Sequence, residues 1–465
     1  MNKIVILGLG SIASGLLPLL VKKYNPMHIT VVGGDDRNIH VAAQLGVPCI
    51  IEPLNPHNYP TVLSRLLSSG DMLVNLSVNV SSQALVTWCH EHDVLYLDTC
   101  IEPWEGYYTD TSIPPERRSN YSLRQDILDL RSELRLKSAD PGATAIMAHG
   151  ANPGLVNHFV KRALLHVADK YAPHLLMNVP QTQAAWSDFA RDVGLKVIHI
   201  AERDTQTPRN PKQVGEFVNT WSVDGFISEG LQPSELGWGT HEKHWPSDAN
   251  RYTWGCKSAI WLNRPSCSTR VRTWTPQEGP FVGFLITHNE AISISDYLSS
   301  AGYRPTVHYA YHPCDSAVLS VHEMQGKNYQ EQDRKRLIVD EIESGVDELG
   351  VLLMGTVNGE HYTYWYGSVL DIHTARQLAP HNNATSLQVV APVLAGIEYA
   401  FANPRLGIVE ADDLPHEQIL CNTDPYMGQL VGKFSDWTPV KDRGVLYPEQ
   451  LDTTDPWQFI NFRVV

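Results

Sequence analysis

Cysteine is scarce in this chain. The seven residues Cys49, Cys89, Cys100, Cys256, Cys267, Cys314 and Cys421 are scattered through 465 positions and never form C-x-x-C. That excludes a disulfide frame and points to reduced thiols in the cytoplasm. Positive charge is also short: 36 Lys and Arg face 51 Asp and Glu, a net charge of −15. A nucleic-acid-binding protein built on a broad basic surface is thereby excluded. An acidic balance is compatible with a cationic small-molecule substrate. Internal repeats and low-complexity linkers are lacking. The one long apolar run, Ile4 to Val21, carries three glycines, two serines and Pro18, which argue against a membrane span. No later segment reads as long and apolar enough to span. Histidine is not scarce, at twenty, yet neither His241-Glu242-Lys243-His244 nor His90-Glu91-His92 has metal-ligand spacing, so no metal is expected.

What is present begins at the N-terminus. Ile4 to Leu7 reads as a central parallel strand that breaks into Gly8-Leu9-Gly10-Ser11-Ile12-Ala13, the G-x-G-x-x-A form of the dinucleotide fingerprint. Gly8 supplies the tight turn, Gly10 lets a pyrophosphate approach the backbone, and Ala13 lets the helix pack close to the strand. Ser11 and Ile12 begin a helix whose free N–H groups and partial positive charge suit phosphates. A second strand, His28 to Val32, is followed by Gly33-Gly34-Asp35-Asp36-Arg37. Asp35, or Asp36, there favours NAD, because a carboxylate repels a 2′-phosphate; Arg37 keeps NADP open.

The expected fold class is α/β: a doubly wound Rossmann parallel sheet plus a second α+β substrate and dimerisation domain. Residues 1–150 form the first domain, 151–385 the second, and 403–465 a C-terminal extension. A strongly apolar helix, 386–402, has small residues suited to packing back onto the nucleotide domain or a partner subunit. Asp71 to Ser77 reads as a further buried strand whose end places Asn75 and Ser77 beside the cofactor. Val94 to Asp98 is another, with Asp98 facing the same crevice.

Three later segments put acidic or aromatic groups beside apolar stretches. They are Lys196 to Asp204 with Glu202, Phe217 to Gly230 with Trp221 and Glu229, and Phe281 to Ala291 with His288 and Glu290. Together they would suit a cationic ligand, since carboxylates pair with ammonium groups and an indole face attracts a cation. An amino-acid substrate would instead need an arginine for its carboxylate. Arg203, Arg251 and Arg270 are available for that purpose.

The segments GLGSIASGLLPLL, LDTCIEPWEG, HGANPGLVNHFVKRAL, NTWSVDGFISEG and ITHNEAIS resemble those of bacterial homospermidine synthases, a saccharopine dehydrogenase-like family, along nearly the whole chain. The resemblance implies a dimeric enzyme that keeps NAD as a prosthetic group. It joins two putrescines into homospermidine with loss of ammonia, spermidine being a candidate aminobutyl donor. It also implies roles. Asn152 lies by the nicotinamide and substrate, and Glu202 binds an amine. Trp221 stabilises cationic intermediates and Glu229 stands at the substrate entrance. His288 and Glu290 form the polar pair at the substrate end, one of them removing a proton from the reacting ammonium. Glu102 and Glu105 receive no role. Two other readings stay open: a saccharopine- or carboxyspermidine-type reductive enzyme consuming NAD(P)H, and a non-catalytic NAD-sensing scaffold.

Overall fold

The computed structural model describes residues 2–464. Six strands appear in order in the first third of the chain: β1 (Ile4–Leu7), β2 (Ile29–Gly33), β3 (Cys49–Ile51), β4 (Met72–Asn75), β5 (Leu95–Asp98) and β6 (Ala145–Met147). They lie in the order β3-β2-β1-β4-β5-β6, all parallel. β1 is buried at all four positions, as a strand covered on both faces must be. The chain leaves β1 toward β2 on one side and returns as β4 on the other. The crevice at that reversal opens above Leu7 and Asn75, which pair in register. Gly8 turns the chain there with φ +90°, and a Cβ on it would lie 2.7 Å from the Leu76 carbonyl oxygen. Helix α1 (Ser11–Leu20) follows.

The second unit is built on a mostly antiparallel sheet. At its centre Leu195–Asp204 runs parallel to Thr306–His312 and antiparallel to Val346–Val357. Glu360–Asp371 continues the sheet outward. Helix Leu155–Tyr171 and the helices around Trp221 and Glu290 pack on one face, over the largest apolar core.

Two findings concern the late chain. First, short stretches after residue 402 pair into both sheets. Ile408–Glu410 is the edge strand beside β6, Gln429–Ser435 pairs with Glu360–Asp371, and Arg463–Val464 pairs with Arg270–Val271. Runs this short have no readable period in sequence, and only their partners make them strands. Second, Ala384–Ala402 is long and apolar enough, by length and composition, to cross a membrane. Its surface is instead taken up inside the protein, where Leu387, Val390, Val393, Leu394 and Ile397 share a core with Leu16, Leu17 and Leu20 of α1.

A buried ion pair also joins the units. Arg124, on the helix Asn120–Lys137, gives two hydrogen bonds to Glu410 (2.6 and 2.8 Å) and one to Asp296 (3.0 Å). One guanidinium thus holds the edge strand of the first sheet and a helix of the second unit.

The glycine turn separates two effects. Gly8→Ala forces a side chain into a left-handed position against a backbone carbonyl and should cost about 1–3 kcal/mol. At Gly10 a Cβ would meet nothing within 4 Å. Gly10→Ala should therefore unfold at the wild-type temperature and yet bind dinucleotide more weakly; thermal unfolding of the apo protein and a dinucleotide titration check both.

Candidate active site

The turn between β1 and α1 fits a dinucleotide phosphate. Gly10, the N-cap of α1, brings no capping side chain, so the first N–H groups of the helix stay available. The space where a Gly10 side chain would stand is open. Ala13 is fully buried, as close helix–sheet packing requires, and Ile12 is half-buried. The Ser11 hydroxyl donates to the Trp221 carbonyl, which leaves its backbone N–H for a phosphate. Asn38 steadies the turn by donating to the Leu9 carbonyl at 2.9 Å.

Past the end of β2, Asp35 accepts hydrogen bonds from the Arg37 backbone and guanidinium at 2.6–3.0 Å. These bonds hold its carboxyl below its ordinary pKa. The cation that would welcome a 2′-phosphate is thus held by the anion that repels one. Asn75 accepts from the Ser77 N–H and hydroxyl, so both side chains sit together beside the carbonyl that abuts Gly8.

Asp98 ends β5 below the crevice. It is fully buried and accepts from the Ala148 N–H (2.6 Å) and the Tyr96 hydroxyl (2.9 Å). Burial raises its pKa to about 7 against those bonds. Its task is to fix the loop His149 to Gly154 below the crevice. In that loop Gly154 has φ +125°, and a Cβ there would lie 2.2 Å from the Gly150 carbonyl oxygen. The turn delivers Asn152 to Glu202.

The substrate region lies where this loop meets the second unit. A narrow cavity of about 30 Å³ opens between Cys100, Glu102, Tyr108 and Pro153 on one side and Ser228, Glu229, Gln232, His288 and Asn289 on the other. Glu229 comes from the helix Val223–Leu231, and His288 is the N-cap of the helix Asn289–Tyr297. His288 stands between two acids, 3.1 Å from Glu229 and 3.3 Å from Glu290. Neither contact is aligned as a hydrogen bond, and both Glu290 oxygens and the Asn289 Oδ1 are buried without a hydrogen-bond partner. By contrast Glu235, equally buried, accepts from Tyr252, Thr287 and the backbone of Asn120 and Tyr121. The site has more buried acceptors than donors, which is the condition a cationic ligand satisfies.

Behind Pro153, Glu202 accepts from Asn152 Nδ2 at 3.2 Å and from the Tyr309 hydroxyl at 2.6 Å. The Tyr309 ring lies 4.6 Å from His288, centroid to centroid. Burial dominates the electrostatics. It pushes Glu202 up to about 8, opposed by the Tyr309 bond. It raises Glu229 against the charge of His288, and Glu102 to about 7. Burial would lower His288, but the charges of Glu229 and Glu290 override it and hold the imidazole well above its ordinary pKa. The two carboxylates on either side of the ring favour its protonated form, and His288 and Glu290 stand together as the acid–base pair of the site.

Of the sequence candidates, the structure unites Asn152 with Glu202 and Glu229 with His288 and Glu290. Trp221 stands at the shoulder: its ring lies on Gly225, which lines the cavity, and its carbonyl meets Ser11. Glu102 and Tyr309 were missed. Glu102 follows Asp98 in the same strand-end segment, and nothing in sequence says which carboxylate turns outward. Tyr309, in an apolar strand, reads as core. The three arginines are engaged elsewhere. Arg203 pairs with Glu278 and Asp315, Arg251 lies over Trp245, and Arg270 lies over Phe284 and meets His322. Among the described residues lining the cavity there is no arginine or lysine.

Residues 4–146 match the family model of the saccharopine dehydrogenase NADP binding domain, and residues 150–436 that of the saccharopine dehydrogenase C-terminal domain. A homospermidine synthase of Blastochloris viridis is 46% identical over 99% of this chain and 97% of its own length. The chain belongs to the homospermidine synthase family. Another member, from Mesorhizobium japonicum (strain LMG 29417 / CECT 9101 / MAFF 303099), is 43% identical over 99% of this chain and 96% of its own. The crystal structure of the homospermidine synthase from Legionella pneumophila, in complex with NAD, superposes with a TM-score of 0.91 at 46% identity, covering 100% of this chain and 98% of that one. Apo saccharopine dehydrogenase (L-Glu forming) of Saccharomyces cerevisiae shares the fold, with a TM-score of 0.56 at 11% identity, covering 94% of this chain and 100% of that one.

The Glu202 environment carries a pH signature. An acid with a raised folded-state pKa stabilises the fold below its ordinary value of 4.5, and that contribution is lost as pH rises toward about 8. Glu202→Gln should match the wild type near the lower pH and be the more stable of the two near the higher, in thermal unfolding of the empty enzyme.

Proposed function

We propose that the chain is a homospermidine synthase that holds NAD over Gly8 to Ala13 and converts two putrescines into one homospermidine and one ammonia. The supporting observation is the cavity wall, where Glu102, Glu229 and Asn289 face the space, the buried Glu290 stands behind His288, and His288 is the one basic side chain among the described lining residues. Such a wall welcomes ammonium groups and repels a carboxylate. A reductive enzyme of the saccharopine type would need the arginine that this cavity lacks.

Bound NAD supplies what side chains cannot, taking a hydride from an amine-bearing carbon and later returning it to the condensed product. The chain handles protons, charge and water. The reacting nitrogen must first be neutral, because an ammonium cannot release hydride from its carbon. Glu290 is the proton acceptor in this reading; it stands in the first turn of a helix, where the dipole favours a carboxylate. Glu202, oriented by Asn152 and Tyr309, faces the positive charge on the carbon–nitrogen unit. The second amine attacks that unit. His288 gives its proton to the departing nitrogen, which leaves as ammonia. Glu229 and Glu102 hold the remote ammonium group. Tyr309, Tyr108 and Pro153 exclude water that would hydrolyse the iminium. The Trp221 ring face adds about 0.5–2 kcal/mol toward the cationic species.

The family resemblance carries two further parts of this reading, a homodimer and a cytoplasmic location. The seven cysteines are free thiols, consistent with the latter.

Incubation with putrescine and substoichiometric NAD should yield homospermidine by mass spectrometry without accumulation of reduced cofactor. NADH formed one-for-one with substrate would instead identify an amine dehydrogenase. Trp221→Phe should retain more activity than Trp221→Glu, since the former keeps an aromatic face; equal losses would remove the cation–π contribution.

A further inference from the structure

Trp221 has no secondary structure of its own to hold it. It lies in the short turn between the strand Glu216–Asn219 and the helix Val223–Leu231. Two side chains from distant parts of the chain fix that turn by its consecutive carbonyls. The Trp221 carbonyl accepts from the Ser11 hydroxyl, in the first turn of α1. The Thr220 carbonyl accepts from Asn383 Nδ2 at 2.6 Å.

Asn383 is fully buried and is also the N-cap of the helix Ala384–Ala402, where its Oδ1 accepts from the Ser386 N–H at 2.7 Å. Its neighbour Asn382 donates to the Gly15 carbonyl of α1 at 3.0 Å, so closely that a Cβ on Gly15 would lie 2.2 Å from Asn382 Oδ1. Asn382 and Asn383 therefore bind the cofactor-turn helix and the Trp221 turn into one frame, and Ser11 closes that frame from the other side. The third member is the acidic strand end, because the Thr220 hydroxyl donates to Asp204 at 3.1 Å, two residues beyond Glu202.

From this geometry we infer that Ser11 and Asn383 are positioning residues for Trp221, and that phosphate binding at the turn and placement of the indole are one linked event. Ser11 meets a phosphate through its backbone N–H and Trp221 through its hydroxyl. A cofactor that orders the first turn of α1 thereby orders Trp221, and an ordered Trp221 turn helps retain the cofactor. The catalytic part of this inference rests on the homospermidine synthase reading; the structural part does not.

The test uses the full chain labelled with 5-fluorotryptophan. The ¹⁹F resonance missing from Trp221→Phe is that of Trp221. Adding NAD to stripped protein should shift and sharpen that line. In Ser11→Ala, and in Asn383→Ser, which keeps a helix cap but cannot reach Thr220, the NAD-induced change should be lost or reduced while the other tryptophan lines stay in place. Ser11→Thr, which keeps the hydroxyl, should restore it. With putrescine, Ser11→Ala and Asn383→Ser should lower kcat by about tenfold to a hundredfold, the scale of a small misplacement in an active site, with KM nearly unchanged. In a Trp221→Phe background the same substitutions should cost much less. A Trp221 line that responds to NAD as in the wild type in both variants would overturn the inference, as would fully additive losses of kcat. Failure of the wild type to make homospermidine would strike the proposed function alone, leaving the fluorine result to stand or fall separately.

Discussion

Carboxylates placed out of water with too few cations to neutralise them are the constraint around which this protein is arranged. Glu202 and Glu290 are buried, Glu229 nearly so, and His288 is the single basic side chain set between two of them. Leaving ionised carboxylates unpaired in such a place is costly, so Glu202 and Glu229 shift their proton affinities instead. Glu202 moves toward holding a proton, and His288 moves toward keeping one. A diamine entering this space supplies the missing positive charge. The site thus carries its selectivity as an electrostatic deficit rather than as a shape alone.

That deficit has to be assembled from parts of the chain that do not otherwise meet. Asn152 comes from the loop after β6, Glu202 from a strand end, Glu229 from one helix, and His288 and Glu290 from the start of another. The braid that brings them together is the late chain. The helix Ala384–Ala402 packs on α1, its N-cap reaches the Trp221 turn, and Ile408–Glu410 completes the first sheet. Arg124 then anchors that added strand to the helix Asn289–Tyr297, which starts at His288. These returns, together with the loop at residue 150, hold the cofactor turn and the substrate cavity in register.

Much of this was legible in the residues because several signals are local. A strand buried on both faces followed by a glycine turn needs no distant partner to be read, and neither does the alternation of strand and helix through residue 147. Acidic groups at the ends of apolar segments were also visible, although whether they converged was not. The misreadings share one cause. Asp98 and Glu102 are four residues apart on one strand-end segment, yet one turns inward to bond Ala148 and the other lines the cavity. Tyr309 looks like any core aromatic until its hydroxyl is seen on Glu202. Only the structure sets the His288 ring between Glu229 and Glu290.

The sequence by itself determined the Rossmann unit, the place of the phosphate turn and the surplus of acid over base, because propensity, periodicity and charge are properties of neighbouring residues. The tertiary structure decided which acids line the cavity, that the available arginines are committed elsewhere, and that three short stretches of the late chain join the two sheets. Those outcomes depend on contacts between residues hundreds of positions apart, where side-chain direction and the competition for hydrogen-bond partners are settled only by packing.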